Sequence, residues 1–238
     1  MEKASEAVAS TLKEMRAYAQ PGMTTKHLDE YGAKILADFG AKSAPYLTYG
    51  FPGWTCICVN NEFCHGIPSD TTILKEGDLV NIDVSAELDG FFGDTGHTFI
   101  VGEVSAAKKH VVKTAQKALK YAITQVRAGV PLNVIGKAIE TVARQNGCTV
   151  IRNLGSHGVG LGLHEEPFFI PPFFDEADNR MLHDGMVITI EPFISNGASE
   201  VKEASDGWTL FTPPQFATAQ FEHTMVLTRT GAKILTAA

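Results

Sequence analysis

Asp83 and Asp94 sit where a folded chain seldom tolerates a carboxylate. Asp83 lies in Asn81-Ile-Asp-Val-Ser85 and Asp94 in Gly93-Asp-Thr95, with strand-like flanks at Leu79-Val80 and Ile100-Val101. Aspartate is depleted in strands, and a carboxylate left unpaired in a core is strongly destabilising. Taken singly, each acid has an ordinary explanation. The alternation of Asn81, Asp83 and Ser85 suits a solvent-facing strand surface, and Asp94 before Thr-Gly suits a turn or cap. Glu191-Pro192 and Glu222-His223 suit edge-strand positions in the same way.

Their arrangement argues otherwise. Leu74-Lys-Glu-Gly-Asp-Leu-Val-Asn-Ile-Asp83 returns as Leu182-His-Asp-Gly-Met-Val-Ile-Thr-Ile-Glu191, and Asp94-Thr95 resembles Glu222-His223 after a longer insertion. Two related halves would bring four carboxylates to a shared cleft. Four acids in one place repel one another and need counter-charge to stay ionised. A pair of divalent cations would supply it.

The imidazoles add to this set. In Asn153-Leu-Gly-Ser-His157-Gly-Val-Gly-Leu-Gly-Leu-His164-Glu-Glu-Pro167 the alternating glycines argue against a helix and allow close backbone approach. His157 and His164 therefore read as two separate inward reaches from a strand or loop. A neutral imidazole suits zinc, manganese, iron or cobalt, and His157 has four carboxylates to join. His65, in Cys64-His-Gly-Ile-Pro68, fits equally a partly buried histidine before a turn and a functional one.

The elements that must hold these groups are legible in outline. Val8, Leu12, Met15 and Ala19 recur at helical spacing over 4–19, and Pro21-Gly22 ends the run. A second helix runs from Thr24 through Leu36 to Gly40. The same pattern returns from Lys108 to Arg127, and again through Ile135, Ile139 and Val142 to Gly147. Gly22-Met23 … Phe39-Gly40 is echoed by Gly129-Val130 … Asn146-Gly147. The expectation is a single catalytic domain over 1–238, made of two related halves, about 1–107 and 108–238.

Composition narrows the class. The 238 residues are 44% hydrophobic and 20% charged, ordinary values for a globular protein with a substantial core. A net charge of −7 argues against nucleic-acid binding, since no basic excess exists to neutralise phosphates. No signal peptide is recognisable at the N-terminus, and no stretch approaches the roughly 18 apolar residues of a membrane span. The four cysteines, Cys56, Cys58, Cys64 and Cys148, form no Cys-x-x-Cys pair, which disfavours a zinc ribbon and reads as reduced thiols in a cytoplasmic protein.

Six motifs in order give the chain a resemblance to the methionine aminopeptidases of type I, the short bacterial-like class of the pita-bread metallopeptidases. They are Cys-His-Gly-Ile-Pro at 64–68, Asn-Ile-Asp-Val at 81–84, Gly-Asp-Thr at 93–95, His-Gly-Val-Gly-x-x-x-His-Glu at 157–165, Thr-Ile-Glu-Pro at 189–192 and Glu-His-Thr at 222–224. The resemblance implies an α/β pita-bread fold, a pseudo-two-fold antiparallel sheet with helices on its outer face. It implies Asp83, Asp94, His157, Glu191 and Glu222 as ligands of two divalent ions (Co, Mn, Fe or Zn), with Asp94 and Glu222 bridging both. His164 matches the residue that steadies the tetrahedral intermediate, and His65 one that contacts substrate near the scissile bond. Phe51, Cys56 and Trp208 fall where the family lines its methionine pocket. This chain departs from the family at Ser156, usually Gly, and at Thr48, often aromatic.

Such a ligand set would hold its ions about 3.5–4 Å apart and bring a shared water's pKa towards about 7. The resulting hydroxide would attack the first peptide bond while a metal holds the free α-amine, with Glu191 shuttling the proton. Expected substrates are N-terminal peptides of nascent proteins with a small second residue. A monomer without membrane or nucleic-acid partners is expected, with the ribosome left open as a partner. Pita-bread peptidases that cleave Xaa-Pro bonds usually carry an additional N-terminal domain, whereas this chain begins almost directly at the first repeat. A catalytically dead relative would typically have lost ligands, and all five positions are filled.

Overall fold

Val8, Leu12 and Met15 share one face of helix α1 (Glu2–Tyr18), and all three are buried. A computed structural model describes residues 1–237. After α1 come α2 (Thr25–Asp38), β1 (Lys42–Ser43), α3 (Ala44–Tyr49), β2 (Cys56–Val59), β3 (Glu62–Cys64), β4 (Leu79–Leu88) and β5 (Phe91–Ile100). The second half runs α4 (Ala106–Gln125), α5 (Val134–Gln145), β6 (Thr149–Val150), β7 (Ser156–Gly158), β8 (Glu165–Ile170), β9 (Val187–Ile190) and β10 (Phe193–Ser195). It closes with β11 (Lys202–Glu203), β12 (Leu210–Phe211), β13 (Thr218–Gln220), β14 (His223–Thr228) and β15 (Gly231–Ile234).

The helix ends follow from their residues. The Thr24 hydroxyl accepts from His27 N at the start of α2, and Ser105 accepts from Lys108 N at the start of α4. The short α3 lies outside the periodic runs of the sequence but is well signalled: Ser43 accepts from Tyr46 N, Pro45 opens the first turn, and Gly50 closes it with φ 74°. Two cores lie beneath the helices. One packs α1 and α2 on β4 through Leu28, Leu36, Ile82 and Val84; the other packs α4 and α5 on β9 and β14 through Leu119, Ile135, Ile139 and Met225. Each fully buried leucine or isoleucine contributes about 1.5–3 kcal/mol relative to exposure.

β4 and β5 form a hairpin across Asp89-Gly90, both at positive φ (54° and 82°), the requirement of a two-residue type I′ turn. Its register pairs Asp83 with Gly96 and Ser85 with Asp94. Directly opposed residues share a face, as do residues two apart, so Asp83 and Asp94 become diagonal neighbours on one face. That face points inward: Asn81, Ser85 and Asp94 are buried, which removes the solvent-facing reading of the alternation.

The second half reproduces this plan with breaks. Lys42 pairs with Glu87 and Thr149 with Ser195; Val59 pairs with Val80 and Gly158 with Ile188. Glu191 and Glu222 lie in interruptions, between β9 and β10 and between β13 and β14, not within strands. Pro192 has no N–H to give to a ladder. Ile190 pairs with His223 and Phe193 with Gln220, so the same register carried through the break sets Glu191 opposite Glu222.

Gly136 in α5 faces backbone: a Cβ there would collide with the carbonyl oxygens of Pro171 and Phe173. Gly136→Ala would gain about 1 kcal/mol of helix propensity and lose about 1–3 kcal/mol to overpacking against atoms that cannot swing aside. The expected result is a lower urea midpoint than wild type, and an unchanged or higher midpoint would contradict this packing.

Candidate active site

The two halves join along β5 and the β13–β14 segment. His97 bridges to Phe221, Glu222 N donates to Gly96 O at 2.8 Å, and the Thr95 hydroxyl donates to Glu222 O at 2.9 Å. The Thr224 hydroxyl donates to Asp94 O at 2.7 Å and accepts from Asp94 N at 3.1 Å. The seam thereby seats Asp94 beside Glu222. His157 completes a buried trio: one ligand-type atom from each of Asp94, His157 and Glu222 lies within 4.8 Å of the others.

The chain orients these side chains by a further layer of hydrogen bonds. His157 Nδ1 lies 3.0 Å from Gly158 O, and a carbonyl can only accept, so Nδ1 carries the proton and Nε2 is left bare. Nε2 faces Glu191 Oε1 at 3.4 Å and Asp94 Oδ2 at 3.7 Å. Glu191 Oε1 accepts from the Thr189 hydroxyl, and Glu222 Oε2 accepts from Gln220 Nε2, itself held through its carbonyl by Asn81. Ser156, the departure from the resembling family, has a job here: its Oγ accepts from Glu191 N at 2.9 Å.

Asp83, Asp94, His157 and Glu191 line a cavity of about 480 Å³, and Glu222, outside its lining, is clustered with Asp94 and His157. His65 and His164 line the same cavity, as do Phe51, Cys56 and Trp208. All the candidate site residues therefore gather in one region. Phe51 and Trp208 meet edge to face with centroids 5.2 Å apart. Cys56 pairs with Asp83 in the β2–β4 ladder, so it stands at the boundary between apolar wall and acidic floor. His65 adopts φ 54°, a left-handed conformation unusual for histidine. His164 packs its ring 4.1 Å from that of His157. Tyr49, Leu163 and Phe193 also line the cavity. Tyr49 and Phe193 belong to no quoted motif, Leu163 falls at an unspecified position within 157–165, and Tyr49 had a signal only in the Pro and Gly that frame α3.

Electrostatics mark the region as unfinished without cations. Burial pushes the Asp83 carboxyl up to about 6. Burial, then repulsion by Glu222 and Asp83, drives Asp94 well above the carboxylate range, and burial with mutual repulsion does the same to Glu191 and Glu222. Burial lowers His157 to about 3 and His164 to about 4, so both are neutral at neutral pH and the His157–carboxylate approaches are not ion pairs. Burial likewise lowers His65. Burial, then the nearby Asp83, keeps the Cys56 thiol protonated. Asp94 Oδ1 and Glu222 Oε1 are buried without a hydrogen-bond partner. Uncapped carboxylate oxygens beside a bare imidazole nitrogen are a fitting donor set for a divalent transition ion.

Residues 1–229 match the model of metallopeptidase family M24. The chain is 47% identical to methionine aminopeptidase 2 of Bacillus subtilis, over 99% of this chain and 95% of that protein. It is 39% identical to the methionine aminopeptidase of Escherichia coli, over 99% and 89% of the two chains. The crystal structure of methionine aminopeptidase from Thermotoga maritima superposes with a TM-score of 0.95 at 37% identity, covering all of this chain and 95% of that one. This chain belongs to the M24 metallopeptidases. Within them it has the pita-bread fold of the methionine aminopeptidases.

Ser156→Ala would leave the buried Glu191 amide unpaired, and a stability loss of about 1–3 kcal/mol is expected by urea titration. A second expectation concerns pH. The raised acids make the folded state bind more protons than the unfolded one, so stability falls as pH rises through their folded pKa values; for the lowered histidines it falls as pH drops below about 6.5. The thermal midpoint of chelator-stripped protein should therefore rise as pH is lowered from about 8 to about 6.5, above the range where charging of the histidines in the unfolded chain opposes the acids. A midpoint that instead falls on going from 8 to 6.5 would contradict the acid cluster.

Proposed function

We propose that this chain is a metal-dependent aminopeptidase that removes the N-terminal methionine from peptides and nascent proteins, with preference for a small second residue. The observation that carries the reading is the pair of buried, partnerless oxygens, Asp94 Oδ1 and Glu222 Oε1, on two acids clustered with His157, which with Asp94 lines a largely apolar cavity. Asp83, Asp94, His157, Glu191 and Glu222 would hold two divalent ions of Co, Mn, Fe or Zn. When bound, such ions supply counter-charge, Lewis acidity and an acidified water.

The remaining roles belong to the chain itself. Glu191 would take and return the proton of the attacking water, a role a carboxylate beside the site can fill. His164 and His65, kept neutral by burial, would donate to the acyl oxygen as charge develops there. Phe51, Cys56 and Trp208 would seat the methionine side chain. Two aromatic rings and an un-ionised thiol offer a thioether no charge to compete with, and S···aromatic contact adds a modest increment. Size discrimination of about 1–3 kcal/mol per methylene leaves some turnover of related apolar residues. The catalytic unit would be one domain of two related halves, about 1–107 and 108–238, acting as a cytoplasmic monomer on N-terminal peptides, with the ribosome as a candidate partner. No helix among the described residues is long and apolar enough to cross a membrane.

The test is an assay of chelator-stripped protein reloaded with Mn²⁺ or Co²⁺, on Met-Ala-Ser, Leu-Ala-Ser, Ala-Pro-Ser and N-acetylated Met-Ala-Ser. Metal-dependent release from Met-Ala-Ser, little from the others, and none with Asp94→Asn is expected. Cleavage of Ala-Pro-Ser would move the chain to Xaa-Pro chemistry. Metal binding without any turnover would sink the enzymatic reading.

A further inference from the structure

His164 holds its place through one contact that the proposed chemistry does not use. The Tyr49 hydroxyl lies 2.6 Å from His164 Nδ1, with ring centroids 5.7 Å apart. Tyr49 is the last residue of α3, whose geometry is set by the Ser43 cap and the left-handed Gly50. The phenol is therefore fixed from its own backbone and reaches across to the β7–β8 connection. Burial raises the Tyr49 pKa, so the hydroxyl keeps its proton and can donate. A neutral imidazole carries one proton, on one nitrogen or the other, and the partner of each nitrogen decides which. Among the described residues, Nε2 of His164 has no hydrogen-bond partner, whereas Nδ1 has Tyr49.

We propose that Tyr49 is a positioning residue for His164: its hydroxyl donates to Nδ1, holds the ring in the Nε2–H tautomer, and so presents a donor to the acyl oxygen of the substrate. The inference rests on the aminopeptidase reading for its purpose but not for its geometry. Without the phenol, the proton is free to sit on Nδ1, and the nitrogen offered to substrate becomes an acceptor, the wrong sign for a developing oxyanion. The Tyr49 hydroxyl bonds to His164 and to none of the metal-ligand candidates among the described residues, so removing that oxygen alone should leave metal binding in place.

Tyr49→Phe keeps the half-exposed ring and removes only the oxygen. In zinc-loaded protein, the imidazole nitrogen shifts of His164 should report the Nε2–H tautomer in wild type and a mixed population in Tyr49→Phe. With Mn²⁺ or Co²⁺, kcat on Met-Ala-Ser should fall about tenfold with KM little changed, a smaller loss than deleting an oxyanion donor outright. Adding Tyr49→Phe to His164→Ala should cost nothing further. An unchanged tautomer, or a loss that persists in the His164→Ala background, would overturn the proposal. Failure of wild type to release methionine would instead strike the functional reading, and the nitrogen shifts would still decide the role of Tyr49.

Discussion

The structure is arranged around one unfavourable cluster: four carboxyl groups kept together in a buried place, where burial and neighbouring acids drive Asp94, Glu191 and Glu222 well above the carboxylate range. The chain covers only some of the acid oxygens, Glu191 Oε1 through Thr189 and Glu222 Oε2 through Gln220. It clamps the main chain around them. Asp94 is gripped at both N and O by the Thr224 hydroxyl, Glu222 at N by Gly96 and at O by Thr95, and Glu191 at N by Ser156. Backbone groups at the seam are satisfied, while Asp94 Oδ1 and Glu222 Oε1 stay bare. A buried polar atom without a partner destabilises the fold, so this distribution makes sense when the missing partner is a cation.

Such a clamp needs two sheets to come edge to edge without a gap. Gly96 is the point of closest approach: a Cβ there would drive into the Gln220 side chain, the same glutamine that orients Glu222. The breaks at Glu191-Pro192 and Phe221-Glu222 serve the same end. Regular strands would point successive side chains to alternate faces, and an interruption lets both second-half acids turn toward the first-half pair. The helices then supply, from the outer face, the hydrophobic burial that offsets the electrostatic strain at the seam.

Much of this was legible in the chain. Helical spacing placed the four long helices to within about two residues at each end, and the repeated Leu-x-x-Gly-x-x-Val/Ile-x-Ile-Asp/Glu segment revealed the two halves' matching acids. The Asp89-Gly90 turn fixes the register that makes Asp83 and Asp94 neighbours, a relation readable from spacing once the hairpin is known. Other features were not legible, for physical reasons. Glu191 and Glu222 read as strand residues because a local interruption leaves no mark on propensity. Ser156 stands out in the sequence only as a departure from the family, since its bond to the Glu191 amide spans distant parts of the chain. Tyr49 was invisible for the same reason: its partner His164 is brought near only by the closed fold.

Strand β4 shows why stability and chemistry are hard to separate here. Ile82, Val84 and Ala86 face the helices and are fully buried, while Asn81, Asp83 and Ser85 face the acid cavity. A one-residue slip would send every apolar side chain into the cluster and every acid into the core, so the register that builds the core also builds the site. Cys56 sits at the same junction, opposite Asp83, small enough to be apolar wall on one side and close enough to the acids to stay a neutral thiol. A larger or ionisable residue there would disturb both the pocket that would receive a side chain and the floor that would hold the ions. The strand pairing that joins them is one object, and it can be improved for one purpose only within the tolerance of the other.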